Sequence, residues 1–119
     1  MNTSKVGDIG EQAAANYLYD AGYEIVERKY RSKIGEIDII ARIENILVFI
    51  EVKTRRNTTY GFPAEAVTYR KQQKIINTAS CYLQYIHNTN IYCRFDVIEV
   101  FLNENNKITC NHITNAFIR

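Results

Sequence analysis

The apolar positions of this chain change period several times, and each change marks an element. The stripe Val6, Gly10, Ala13, Ala14, Tyr17, Leu18 and Ala21 recurs at helical spacing, with Thr3 or Ser4 placed to cap it and Gly22 to end it. Residues 23–30 read as an extended segment. Residues 35–41 and 49–55 read as two strands, broken by 42–46. Residues 57–63 are loop by composition, with Tyr60 and Phe62 as aromatic tips facing a substrate. Thr68 caps a long helix to about His87, whose buried stripe is Ile75, Ile76, Ala79, Leu83 and Ile86. Residues 91–101 form a strand, 103–107 a turn, and 108–113 return antiparallel. This order predicts an α/β domain over 1–119, with a mixed sheet flanked by helices.

The two central strands carry charges at alternate positions inside runs that otherwise look buried. Such charges are costly unless paired or bound to a metal. A two-residue Glu44-Asn45 loop, with Asn45 taking a positive φ, pairs Ile43 with Ile46. Paired residue numbers then sum to 89 along the hairpin. Asp38 falls opposite Glu51 and Glu36 opposite Lys53, all four on one face. Ile37, Ile39 and Ala41 take the other face against Val52, Ile50 and Val48. Opposed carboxylates repel, and a divalent cation between them turns repulsion into coordination. Mg²⁺ suits one or two carboxylates with water and phosphate in its other positions. Lys53 on the same face is placed to orient a water or to neutralise a phosphoryl oxygen. The same pattern also fits a solvated sheet face carrying ion pairs.

Composition adds little alone: 46% hydrophobic, 24% charged, net charge +2. The distribution of charge says more. Arg28, Lys29, Arg31 and Lys33 precede the first acidic strand, Arg55 and Arg56 follow the second, and Arg70, Lys71 and Lys74 open the long helix. Basic groups around a metal centre are what a phosphate backbone requires, and Gln73 offers a further hydrogen bond. Cys81, Cys93 and Cys110 are odd in number and widely spaced, with no Cys-x-x-Cys, so they read as free thiols rather than a zinc ribbon. No signal core and no run of ~20 apolar residues occurs, so the expected location is the cytoplasm, without a membrane partner. Arg94 and Asp96 share a strand face as a structural ion pair, and His87 and His112 stand isolated with no ligand role.

The order Asp38, then Glu51-Val52-Lys53, resembles the PD-(D/E)xK nuclease superfamily. Around it stand Gly7-Asp8-Ile9-Gly10-Glu11, Gly35-Glu36-Ile37-Asp38, Glu51-Val52-Lys53-Thr54-Arg55, Val67-Thr68 through Lys71-Gln72, Arg94-Phe95-Asp96-Val97 and Asn115-Ala116-Phe117. In this order they resemble the YraN-type family of small bacterial proteins, itself similar to archaeal Holliday-junction resolvases. The resemblance implies a restriction-endonuclease-like fold, Asp38 and Glu51 as metal ligands, Lys53 as the catalytic lysine, and Glu11 as the helix glutamate that joins the site. The Pro of the superfamily name is Ile37 here. Resolvase-like relatives work as homodimers, so a homodimer is implied as well.

The leading expectation is a Mg²⁺- or Mn²⁺-dependent endonuclease acting on DNA, with structured or branched DNA preferred. Arg55, Arg56, Lys71 and Lys74 would hold the backbone without reading sequence. Two alternatives stand beside it. One is a nucleic-acid-binding domain of nuclease-like fold that does not cut. The other is an interaction domain whose charged face is an ion network.

Overall fold

The structure, a computed structural model, describes residues 3–56 and 67–119. The expected substrate-facing loop with Tyr60 and Phe62 lies outside the described residues. Among the described residues the order is α1 (Thr3–Asp20), β1 (Glu24–Arg31), β2 (Glu36–Ile43), β3 (Ile46–Arg55), α2 (Tyr69–Tyr85), β4 (Tyr92–Leu102) and β5 (Ile108–Phe117). The strands form one sheet in the order β1-β2-β3-β4-β5. Among the described residues only β3 and β4 pair in parallel, and the connection between them contains α2. The other neighbours are antiparallel. The α/β class and the mixed, helix-flanked sheet expected of a restriction-endonuclease-like fold are both present.

Each face of the sheet buries one helix. Ala14, Ala15 and Leu18 of α1 pack on Ile39, Ala41, Val48, Ile50, Ile98 and Val100. Ile75, Ile76, Ala79, Tyr82 and Leu83 of α2 pack on Ile37, Ile40, Leu47, Phe49, Phe95 and Val97. The central strands are therefore apolar on both faces, as sheets covered on both sides require. Gly10 brings α1 close to β3, because a Cβ there would collide with Thr54 Oγ1. Thr68 caps α2 as expected, its hydroxyl accepting from Lys71 N–H at 3.2 Å.

The hairpin register is as expected near the turn and fails towards the site. Ile43↔Ile46 through Ile39↔Ile50 keep the sum of 89, and the ladder ends there. The positive φ of the turn falls on Glu44 (53°), not Asn45. Ile37 joins the α2-side cluster while Ile39 joins the α1 side. Residues two apart in a regular strand share a face, so β2 is kinked at Asp38, and the expected grouping of Ile37 with Ile39 and Ala41 is wrong. Lys29, between the pairs Arg28↔Ile39 and Tyr30↔Ile37 and so facing Asp38, has φ 54°. A lysine there is uncommon. Its consequence is that adjacent Arg28 and Lys29 both reach α1, at Glu11 (3.0 Å) and Asp8 (2.8 Å).

The close α1–β3 approach is testable. Gly10→Val should destabilise the chain by about 2 kcal/mol or more through overpacking against Thr54, measured by urea unfolding. An unchanged midpoint would show that α1 does not depend on this contact.

Candidate functional site

Where β2 leaves β3, the freed backbone of β3 is taken up by a side chain. Asp38 Oδ2 accepts the Val52 N–H at 2.8 Å. That bond replaces the next ladder rung and fixes the carboxylate in the notch between the strands. Glu51, with 8% of its side chain exposed, lies close enough to Asp38 for the two carboxylates to interact. Burial, and with it the negative charge of Glu51, pushes the Asp38 carboxyl up to about 7, against the Val52 hydrogen bond and the Lys71 charge.

Two ammonium groups face this pair. Lys53 follows Glu51 by one alternation of β3. Burial lowers its pKa, the Lys71 charge adds to that, and Glu51 and Asp38 oppose it. Lys71 comes from the first turn of α2, its Nζ 3.3 Å from Glu51 Oε1. The parallel β3-α2-β4 connection returns the start of α2 to the end of β3 that carries Glu51 and Lys53. Of the four, Lys71 also lines a cavity of about 380 Å³ at the start of α2, with Gly35, Glu36, Thr68, Arg70, Lys74 and Ile75. On the other face a cavity of about 250 Å³ is lined by Asp38, Glu11, Asp8, Glu36, Lys29, Arg31 and Thr54, among others.

The donor set fits a hard divalent cation. Asp38 and Glu51 offer carboxylate oxygens only, in a site where burial first, and the Glu51 charge second, raise the Asp38 pKa. Among the described residues no three His, Cys, Asp or Glu side chains are arranged to hold a metal ion. A two-carboxylate site suits Mg²⁺ or Mn²⁺, which keep water and phosphate in their remaining positions.

The model of the uncharacterised protein family UPF0102 matches residues 10–100. The chain belongs to the UPF0102 family. This is the YraN-type family that the motifs resemble. A UPF0102 protein of Clostridioides difficile (strain 630) is 50% identical, covering 98% of this chain and 100% of its own. A UPF0102 protein of Clostridium botulinum (strain Loch Maree / Type A3) is 53% identical, covering 94% and 93%. One of Caldanaerobacter subterraneus subsp. tengcongensis is 48% identical, covering 98% of each. The crystal structure of SSO0001 aligns at a TM-score of 0.40 and 19% identity, covering 98% of this chain and 54% of that one, a level that bears on neither fold nor function.

In this UPF0102 chain the structure brings some of the residues picked from sequence together and places the others apart. Asp38, Glu51, Lys53 and Lys71 come together. Glu11 is buried and shares a cavity with Asp38, but its carboxylate is held by Arg28 Nε at 3.0 Å. Glu36 is exposed and paired with Arg31 at 3.2 Å, so it does not oppose Lys53 as the simple register had it. Lys74 is exposed at the rim. Arg56 lies by the β4–β5 turn, lining a cavity with Asn103 and Lys107. Arg55 turns to the fully buried Glu99, its Nε 3.6 Å from Oε2. No helix among the described residues is long and apolar enough to cross a membrane.

Two networks were not legible as such. His112 is not isolated: its Nε2 lies 2.7 Å from Asp96 and its Nδ1 3.1 Å from Tyr17 Oη. Asp96 is fully buried and also takes a bidentate Arg94 and the Asn115 N–H at 3.0 Å. Burial would raise its pKa, but these hydrogen bonds outweigh that and hold it low. The expected Arg94–Asp96 ion pair is thus the centre of a lock joining α1, β4 and β5. The second is Asn111 Nδ2 donating to Glu99 Oε1 at 2.9 Å.

The Asp38 environment sets a pH dependence. Its carboxyl titrates at 3.8 when unperturbed and at about 7 in the fold. Between those values the folded chain keeps a proton that the unfolded chain has lost, so metal-free stability falls as pH rises from about 4 to about 7. Asp38→Asn keeps an acceptor for Val52 and removes the titration. Thermal melts in chelator should show the variant gaining on wild type across that interval. Parallel profiles would refute the burial and coupling of the carboxylate pair.

Proposed function

We propose that this chain is a divalent-metal-dependent endonuclease that acts on DNA and selects by structure rather than sequence. The observation that carries the reading is the meeting of Asp38 and Glu51 in the notch, with Lys53 beside them. A bound Mg²⁺ or Mn²⁺ would polarise a scissile phosphate and lower the pKa of a coordinated water. Asp38 and Glu51 would hold that ion. Val52 N–H fixes the Asp38 carboxylate, so the ligand oxygen needs little rearrangement. Lys53, its ammonium made easier to deprotonate by burial, would position the attacking water or neutralise charge developing on the phosphoryl oxygens. Arg70 and Lys74 at the cavity rim, with the start of α2, favour an anion there. Such groups would meet phosphate rather than a base edge, which favours recognition of DNA shape.

A second reading has a specific observation behind it. Lys71 already places a positive charge on Glu51. A permanent counter-ion there would make the domain a DNA-binding module that needs no metal and does not cut.

One experiment separates the two. The chain is incubated with linear, flapped and four-way DNA in Mn²⁺, beside Asp38→Asn. The nuclease reading predicts metal-dependent cleavage by wild type, loss to background in Asp38→Asn, and a fall of about a hundredfold or more in Lys53→Met. Mn²⁺ should also raise the melting temperature of wild type and not of Asp38→Asn. Salt-sensitive DNA binding without cleavage or metal stabilisation would favour the binding module. Equal cutting by wild type and Asp38→Asn would trace the activity to a contaminant.

A further inference from the structure

The two ammonium groups at the carboxylate pair are held differently. Lys53 is rooted in β3 and partly buried. Lys71 stands on the surface of α2, with 47% of its side chain exposed while its Nζ touches Glu51. As it stands the cluster balances: Asp38 and Glu51 against Lys53 and Lys71. A divalent ion added to that set leaves two positive charges in excess at short range, where like charges repel strongly in a partly buried site. One ammonium has to leave. Lys53 is fixed by its strand, whereas Lys71 needs only a rotamer change to swing into solvent.

We infer that Lys71 is a built-in placeholder cation on Glu51, displaced by an incoming divalent ion and thereby released towards the phosphate that this ion binds. The inference rests on the metal-site reading above and deepens it. The released ammonium stays in the first turn of α2, facing the cavity that Arg70 and Lys74 also line. A phosphate arriving there draws Lys71 off Glu51, and an ion arriving at Glu51 sends Lys71 to the phosphate. Metal and DNA backbone therefore bind cooperatively, and by linkage each raises the affinity of the other by the same factor. Without DNA the site holds its ion weakly, which restrains cutting until a backbone is in place.

The test is calorimetric titration of the full chain with Mn²⁺ alone, and again with a short DNA duplex carrying non-hydrolysable linkages. Lys71→Met should bind Mn²⁺ roughly tenfold more tightly than wild type without DNA, within the range usual for coupled sites. Lys71→Gln should behave like Lys71→Met, and Lys71→Arg, which keeps the charge, should stay at the wild-type value. DNA should tighten Mn²⁺ binding in wild type and leave Lys71→Met little changed. If wild type binds Mn²⁺, Asp38→Asn does not, and Lys71→Met binds no more tightly than wild type, the placeholder is refuted and the metal site stands. Tightening by Lys71→Arg equal to that of Lys71→Met refutes it too, since charge would not be the cause. If wild type binds no Mn²⁺, both fall together.

Discussion

Asp38 and Glu51 are brought within reach of one another where β2 parts from β3, and their mutual repulsion in a half-buried notch is the constraint that the surrounding structure answers. Opposed carboxylates normally weaken a sheet. Here the ladder stops before they would become direct partners. The backbone group left unpaired by that stop, Val52 N–H, becomes a hydrogen-bond donor to Asp38. The burial of the pair and the charge of Glu51 show in the raised Asp38 pKa, and two lysines approach in answer, one from the strand and one from the helix that follows it.

The rest of the fold serves to hold that notch open and in register. Lys29, in a left-handed conformation opposite the kink, turns both itself and Arg28 towards α1. Backbone outliers of this kind often gather at functional sites. Gly10 lets α1 lie close against Thr54, which keeps Glu11 beside Asp38. The far end is secured separately. A bulge in β5 around Asn115 aims a backbone N–H at Asp96, and His112 and Arg94 complete the shell of that buried carboxylate. A lowered pKa at Asp96 and a raised one at Asp38 are two opposite fates of a buried aspartate, set by how many donors surround it.

Much of this was readable in the residues. Periodicity located both helices and all five strands, and Thr68 as a cap followed from its side-chain chemistry. The pairing sum of 89 was right for the apolar half of the hairpin, where side-chain burial on both faces fixes the register. It failed from Asp38 outward, where β2 kinks opposite Lys29, whose positive φ lysine does not advertise. Glu36 was misplaced for the same reason. Lys71 was singled out as a phosphate contact, and its hold on Glu51 was missed. The signal existed, since a crossover helix after the Glu-x-Lys strand must start near that strand's end. His112 looked isolated because its partners, Tyr17 and Asp96, are far away in sequence and meet it only through sheet order.

The most direct measurement is a crystal grown with Mn²⁺ and examined by anomalous diffraction at the manganese edge. A single peak at the Asp38 and Glu51 carboxylates, with the Lys71 ammonium moved off Glu51, is the expected result. No peak at that pair, or manganese bound only elsewhere with Lys71 still on Glu51, would contradict the proposed metal centre.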